Sequence, residues 1–152
     1  MDFCVIETPI GILRLETNGA ALTGVEFCND PCRAPKGALL CHAVQQIMEY
    51  LSGVRRSFSL PVAPQGTPFQ CAVWRAVCDI PYAQTRSYSQ IAAAVGNPRA
   101  ARAVGMACNR NRIAILIPCH RVIGANGALT GYAGGMDKKA ALLSQEQRAL
   151  DT

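Results

Sequence analysis

The nine residues from Ile113 to Arg121, Ile-Ala-Ile-Leu-Ile-Pro-Cys-His-Arg, constrain this chain most. Five uncharged apolar residues in a row offer no polar face to water, so they must be buried, and at this length they read as a core strand. Pro118 ends the run because its ring fixes φ and removes an amide donor. A thiol, Cys119, and an imidazole, His120, follow at once. A rigid element that delivers a cysteine onto a turn holds a nucleophile still. The same arrangement also serves to bury an inert structural thiol. Both readings stand open here, and the flanking residues must separate them.

Those flanks carry an unusual charge distribution. Residues 1–79 hold six Lys or Arg against seven Asp or Glu, and residues 137–152 hold three of each. Residues 80–136 hold six arginines, no lysine and no acid, so the net charge of +5 comes from one 57-residue block around Cys119. A basic, acid-free block is an electrostatic footprint for a polyanion, with nucleic acid the first candidate. Composition excludes other classes: at 50% apolar and 16% charged, the chain is globular rather than disordered. No apolar run approaches the roughly 18 residues of a membrane span. Met1-Asp2-Phe3 opens no secretory signal. Eight irregularly spaced cysteines then read as reduced thiols in the cytoplasm. Cys28, Cys32, Cys41 and His42, with Cys4 further back, are too loosely spaced for a zinc site, and no metal is expected.

The elements follow from turn chemistry and period. Thr8-Pro9-Ile10-Gly11 and Asn18-Gly19 are turns around strands at 12–16 and 21–27, which form a small antiparallel sheet. Helical spacing runs over 38–51 and ends at Ser52-Gly53. Phe58 and Leu60 suggest a short strand, and 61–66 a linker. Thr67 caps a helix with Pro68 at its first position, burying Val73, Trp74 and Val77. Ser87 caps a helix over 88–95, Gly96-Asn97-Pro98 turns the chain, and an Ala-rich helix runs from about Pro98 to Cys108. Helix, short turn, helix is the helix-turn-helix pattern. Beyond Cys119, Val122-Ile123 starts a strand or turn, 124–127 signals a hairpin, 131–135 is a Gly-rich loop, and 138–148 is a terminal helix. The expected class is α+β: a small N-terminal α/β subdomain with an antiparallel sheet (1–62), then a mainly helical C-terminal subdomain with a helix-turn-helix (67–152).

With these residues in order, the chain resembles the O6-alkylguanine–DNA alkyltransferases, the methylated-DNA–protein-cysteine methyltransferases. The match rests on Pro118-Cys119-His120-Arg121-Val122-Ile123-Gly124 and Gly131-Tyr132-Ala133-Gly134-Gly135. It extends to Thr67-Pro68-Phe69-Gln70, Ser87-Tyr88, Gly96-Asn97-Pro98 through Gly105, and the terminal Lys139 and Glu146. It covers about 67–146 closely. The resemblance implies that Cys119 takes an alkyl group from guanine O6, with His120 as its base through a water and Glu146 orienting His120. It implies that Tyr88 donates to the departing guanine and that Asn111 holds the link from helix to nucleophile. Arg102 would fill the stack of a flipped nucleotide, with Arg99, Ala101, Tyr88 and Arg121 on the DNA. Val122, Tyr132, Ala133 and Gly134 would wall the alkylguanine pocket. No cofactor is implied. The partner would be double-stranded DNA carrying O6-alkylguanine, met through the minor groove by a cytoplasmic monomer. Arg112 and Ala114 stand where the family usually has proline, and Ala83 where glycine is common. Two other functions compete: a damage sensor or regulator of the same fold without transfer, and a thiol enzyme acting on small molecules.

Overall fold

Thr8 closes the first turn, its hydroxyl donating to the Gly11 carbonyl at 2.6 Å and accepting the Ile10 amide at 3.3 Å. In the computed structural model, which describes residues 2–151, this turn joins β1 (Asp2–Thr8) to β2 (Gly11–Thr17). The Asn18 side chain accepts the amides of Ala20 and Ala21 and returns the chain into β3 (Leu22–Phe27). The sheet is antiparallel in the order β1-β2-β3, one strand more than the turn signals delimit. Helix α1 (Ala38–Leu51) covers it with Leu40, Ala43, Ile47, Tyr50 and Leu51.

No strand forms at Phe58–Leu60. Instead the following residues dock on β3: the Leu22 amide donates to Pro61 at 2.9 Å, and the Ala63 amide donates back to Leu22 at 2.8 Å. Helices α2 (Pro68–Cys78) and α3 (Tyr88–Ala94) both start with reciprocal capping boxes, Thr67 with Gln70 and Ser87 with Gln90. Trp74 is core, and its indole N–H donates to the Ala107 carbonyl at 2.9 Å, tying α2 to α4 (Ala101–Asn109). Helix α4 starts three residues later than the sequence suggests. The Ala100 amide donates to Asn97, so Pro98 and Arg99 belong to a turn instead. Helices α3 and α4 pack together as the helix-turn-helix pair.

The largest departure is at 113–117, which is a run of turns, not a strand. Only Ile113 bridges to a strand, in parallel with Val25 of β3. The Asn111 side chain bends the segment back: its Oδ1 accepts the Ile113 amide and its amide donates to the Ile117 carbonyl, both at 2.9 Å. Ile115 has φ of 74° inside this bend, a costly conformation for a β-branched residue, held by burial on all sides. Cys119–Arg121 then forms one 3₁₀ turn, and β5 (Val122–Ile123) pairs in parallel with β4 (Arg86–Ser87). The signal at 124–127 closes a turn without a return strand. Helix α5 (Met136–Leu150) ends the fold. One hydrophobic cluster runs from Cys4 through Leu142, so the two predicted segments share a core. No helix among the described residues is long and apolar enough to cross a membrane.

Ala83 sits in the turn after Pro81 with φ of 63°, the left-handed region that favours glycine. The strain there is about 1–2 kcal/mol, against a smaller gain from restricting the unfolded chain. Ala83→Gly is therefore expected to raise the unfolding free energy by about 0.5–1 kcal/mol in urea titrations. A loss of stability of that size would show that the turn carries no strain.

Candidate active site

The site is built around a carboxylate with no access to solvent. Glu146, on α5, is fully buried, as are His120 and Cys119 on the 3₁₀ turn. His120 Nε2 lies 2.7 Å from Glu146 Oε2. Arg121 donates Nη2 to the same oxygen at 2.9 Å and Nε to Oε1 at 3.0 Å. The Ala83 amide donates to Oε1 at 2.9 Å, and the Tyr50 hydroxyl, reaching across from α1, donates to Oε2. Burial raises the carboxyl pKa, but the hydrogen bonds from His120, Arg121 and Tyr50 overcome it and hold the group at about 2. Glu146 is therefore ionised at neutral pH.

That charge fixes the state of His120. Burial lowers the imidazole pKa more than Glu146 raises it, so the ring is neutral at pH 7. A neutral ring facing a carboxylate through Nε2 carries its proton there. Nδ1 is then a bare acceptor, and this buried atom has no hydrogen-bond partner among the described residues. Next to it in the chain, Cys119 is a protonated thiol: the neighbouring Cys108 thiol and then burial push its pKa well up, while the Asn111 side chain pulls modestly the other way. A protonated buried thiol, a neutral base with a free lone pair and a fixed carboxylate form a nucleophile–base–orienter arrangement.

The other predicted residues divide. Tyr88 opens α3 with its ring beside Gly105 of α4, and its hydroxyl donates to the Thr130 carbonyl of the Gly-rich segment. Tyr132 and Val122 are buried, whereas Ala133 is exposed. Ala133 and Gly134 line a cavity of about 510 Å³ with Asn109, Asn111 and Ala114; Val122 and Tyr132 do not. Arg99 and Arg102 are exposed at and before the start of α4, with Ala101 between them half-buried. Arg121 corrects the sequence reading. It is buried, bound to Glu146, and donates Nη1 to the Ile80 carbonyl at 2.9 Å, so it is a core ion pair and offers nothing to DNA.

Two participants escape the sequence reading. Tyr50, in the last turn of α1, has no place in that reading. Lys139 carries no assigned role, yet its buried ammonium donates to the carbonyls of Val122 and Thr130 and stands 3.4 Å from the Tyr88 hydroxyl. Burial lowers its pKa. It pins the Gly-rich segment to the strand that follows Cys119.

Residues 68–148 match the family model described as 6-O-methylguanine DNA methyltransferase, DNA binding domain. A methylated-DNA–protein-cysteine methyltransferase from Methanosarcina mazei is 56% identical over 99% of both chains. The chain belongs to the methylated-DNA–protein-cysteine methyltransferase family. The family member from Methanosarcina barkeri is 47% identical, again over 99% of both chains. The crystal structure of Mycobacterium tuberculosis OGT in complex with DNA superposes with a TM-score of 0.89 at 44% identity, covering 97% of this chain and 93% of the other.

The link from α4 to Cys119 carries Arg112 and Ala114, where the resemblance leads one to expect proline, and other contacts hold it. Arg112 donates to Glu26 at 2.6 Å and to Glu16 at 3.2 Å, and its carbonyl accepts the Val25 amide at 2.7 Å. Ion pairs and a parallel bridge to β3 thus hold the segment that leads from Asn111 to Cys119.

The buried His120–Glu146 pair makes stability depend on acid. Both folded pKa values lie below their ordinary values of 6.5 and 4.5, so the stabilisation is present above those values and is lost as pH falls through the folded ones. The unfolding free energy is expected to decline as pH drops below 6.5 and to fall more steeply between 4.5 and about 2. Glu146→Gln should be less stable at pH 7 and lose the steep lower part. Parallel stability–pH curves for wild type and variant would contradict this assignment.

Proposed function

We propose that this chain repairs O6-alkylguanine in duplex DNA by irreversible alkyl transfer to Cys119. Membership of the family supplies the activity, methylated DNA to protein cysteine. The observation that carries the residue assignment is the buried Cys119 thiol beside a neutral His120 whose Nδ1 is bare and whose Nε2 is tied to Glu146. In the transfer a bond forms between Sγ and the alkyl carbon as the bond from that carbon to O6 breaks. The thiol proton passes to His120 Nδ1 through a bridging water, and Glu146 stabilises the imidazolium that results. Tyr88, tied to the Gly-rich segment and close to Lys139, donates to the departing guanine. The product is a thioether with no resolving step, so each chain acts once.

Cys119 is fully buried, so O6 inside a stacked duplex is out of its reach and the nucleotide must leave the helix. Arg102 fills the gap. Helix α4, with Ala101, Ala103 and Gly105 between arginines, enters the minor groove, where small residues allow close backbone approach. Arg99 adds a phosphate contact. Val122, Tyr132, Ala133 and Gly134 form the wall against the flipped base, Asn111 holds the Cys119 segment, and Arg112 anchors it to the sheet. We place the reaction in the cytoplasm, with the protein a monomer.

Duplex DNA carrying radiolabelled O6-methylguanine is expected to leave at most one methyl per chain, and none on Cys119→Ser. Arg102→Ala should slow transfer from duplex by about tenfold or more, since unstacking costs a few kcal/mol, while reaction with the free base is unchanged. Wild-type protein that binds the duplex without acquiring label would make this chain a damage sensor instead. Repeated turnover on a soluble thioester would make it a small-molecule thiol enzyme.

A further inference from the structure

Tyr50 belongs to the last turn of α1, far in sequence from the acceptor, yet its hydroxyl completes the site. It is fully buried, donates to Glu146 Oε2, and its oxygen lies 3.3 Å from His120 Nε2. Tyr50 Oη, Glu146 Oε2 and His120 Nε2 therefore form a closed triangle. The phenol is held from several sides. Its ring tilts against Phe58 at 5.4 Å and meets Tyr82 edge-on at 6.1 Å, and its carbonyl accepts the Gln145 side-chain amide at 2.9 Å. Burial and the Glu146 charge keep the hydroxyl protonated throughout the accessible pH range.

A donor placed there has two consequences. With its proton committed to Glu146, the Tyr50 oxygen presents lone pairs to Nε2, so both neighbours of Nε2 are acceptors and the ring proton stays on that nitrogen. The lone pair needed for the thiol proton is thereby kept on Nδ1. The hydroxyl also draws charge from the carboxylate, which weakens its support for an imidazolium and keeps His120 neutral at lower pH. The other groups facing the ring are Glu146 and Lys139 from α5 and Arg121 beside it; Tyr82 and Arg121 flank Tyr50. Arg121 also binds Glu146, but it is anchored independently on Ile80 and makes no hydrogen bond to the imidazole.

We propose that Tyr50 is a positioning residue for alkyl transfer, holding His120 in the tautomer that bares Nδ1 and setting the pH at which it serves as base. This rests on the reading of Cys119 as acceptor and His120 as its base. It makes the N-terminal segment part of the chemistry.

The test is single-turnover methyl transfer from O6-methylguanine duplex to full-length protein at a series of pH values, rates being normalised to the fraction of chains that can be labelled. Tyr50→Phe keeps the ring and removes only the donor. Its plateau rate is expected to fall about tenfold, the scale of one hydrogen bond to a charged group. The acidic limb of its profile should move to higher pH by about half a unit to one unit, because an unquenched carboxylate stabilises the imidazolium. Tyr50→3-fluorotyrosine, a stronger donor of nearly the same shape, should move the limb to lower pH. Tyr82→Phe removes the neighbouring phenol hydroxyl, which gives nothing to Glu146, and should leave the limb in place. A purely structural role would lower the labelled fraction in both Tyr50 variants without moving either limb, and that result overturns the proposal. Limbs that move in the same direction in both Tyr50 variants overturn it as well. Absence of label at Cys119 in the wild type would instead refute the underlying reading.

Discussion

A carboxylate cut off from water must find its solvation in the protein or cost several kcal/mol. Glu146 finds it in an imidazole, a guanidinium, a phenol and a backbone amide. Those donors come from the 3₁₀ turn of the acceptor, from the last turn of α1, and from the loop between α2 and α3. Because each donor is needed, the carboxylate fixes where these elements meet. It explains why Arg121 follows the Cys-His pair into the core, and why Ala83 accepts a strained backbone that aims its amide inward. The same charge orients His120, and through it decides which ring nitrogen is left bare.

The thiol is activated only on demand. Many reactive cysteines lower their pKa and rest as thiolates, exposed to any electrophile. Here burial and the adjacent Cys108 act the other way, so Cys119 rests protonated and its proton must leave as the alkyl group arrives. For an acceptor that is consumed by one reaction, this restraint limits wasteful alkylation. The bare Nδ1 of His120 is where the proposed transfer sends that proton. Lys139 and Asn111 work on geometry: one pins the Gly-rich segment beside Tyr88, the other folds the segment that carries Cys119.

Much of this was legible in the sequence, and the failures have identifiable causes. Turn dipeptides and caps announced the sheet edges and helix starts because their chemistry is local: Thr8, Asn18, Thr67 and Ser87 all act on amides within three residues. The 113–117 run misled because an apolar string signals burial alone, and buried turns look like buried strands until a side chain such as Asn111 supplies the missing backbone partners. Arg121 misled because charge counting along a chain is blind to Glu146, 25 residues away in sequence. Tyr50 stayed hidden for the opposite reason, since its ring satisfies the helix's apolar period while its hydroxyl does something the period does not encode. At Arg112, where the resemblance leads one to expect proline, ion pairs tie the segment to two strands, which no local reading reveals.

Burial, and Glu146 with its donors, keep His120 neutral, with its proton on Nε2 and Nδ1 free. The chain has two histidines, His42 and His120, so nitrogen NMR of the labelled imidazoles with a His42→Gln variant for assignment reads this directly. At pH 7 the His120 ring should show a protonated Nε2 and an unprotonated Nδ1, and should remain so well below pH 6.5, where an ordinary imidazole becomes charged. A ring protonated on both nitrogens at pH 7, or one carrying its proton on Nδ1, would contradict the account.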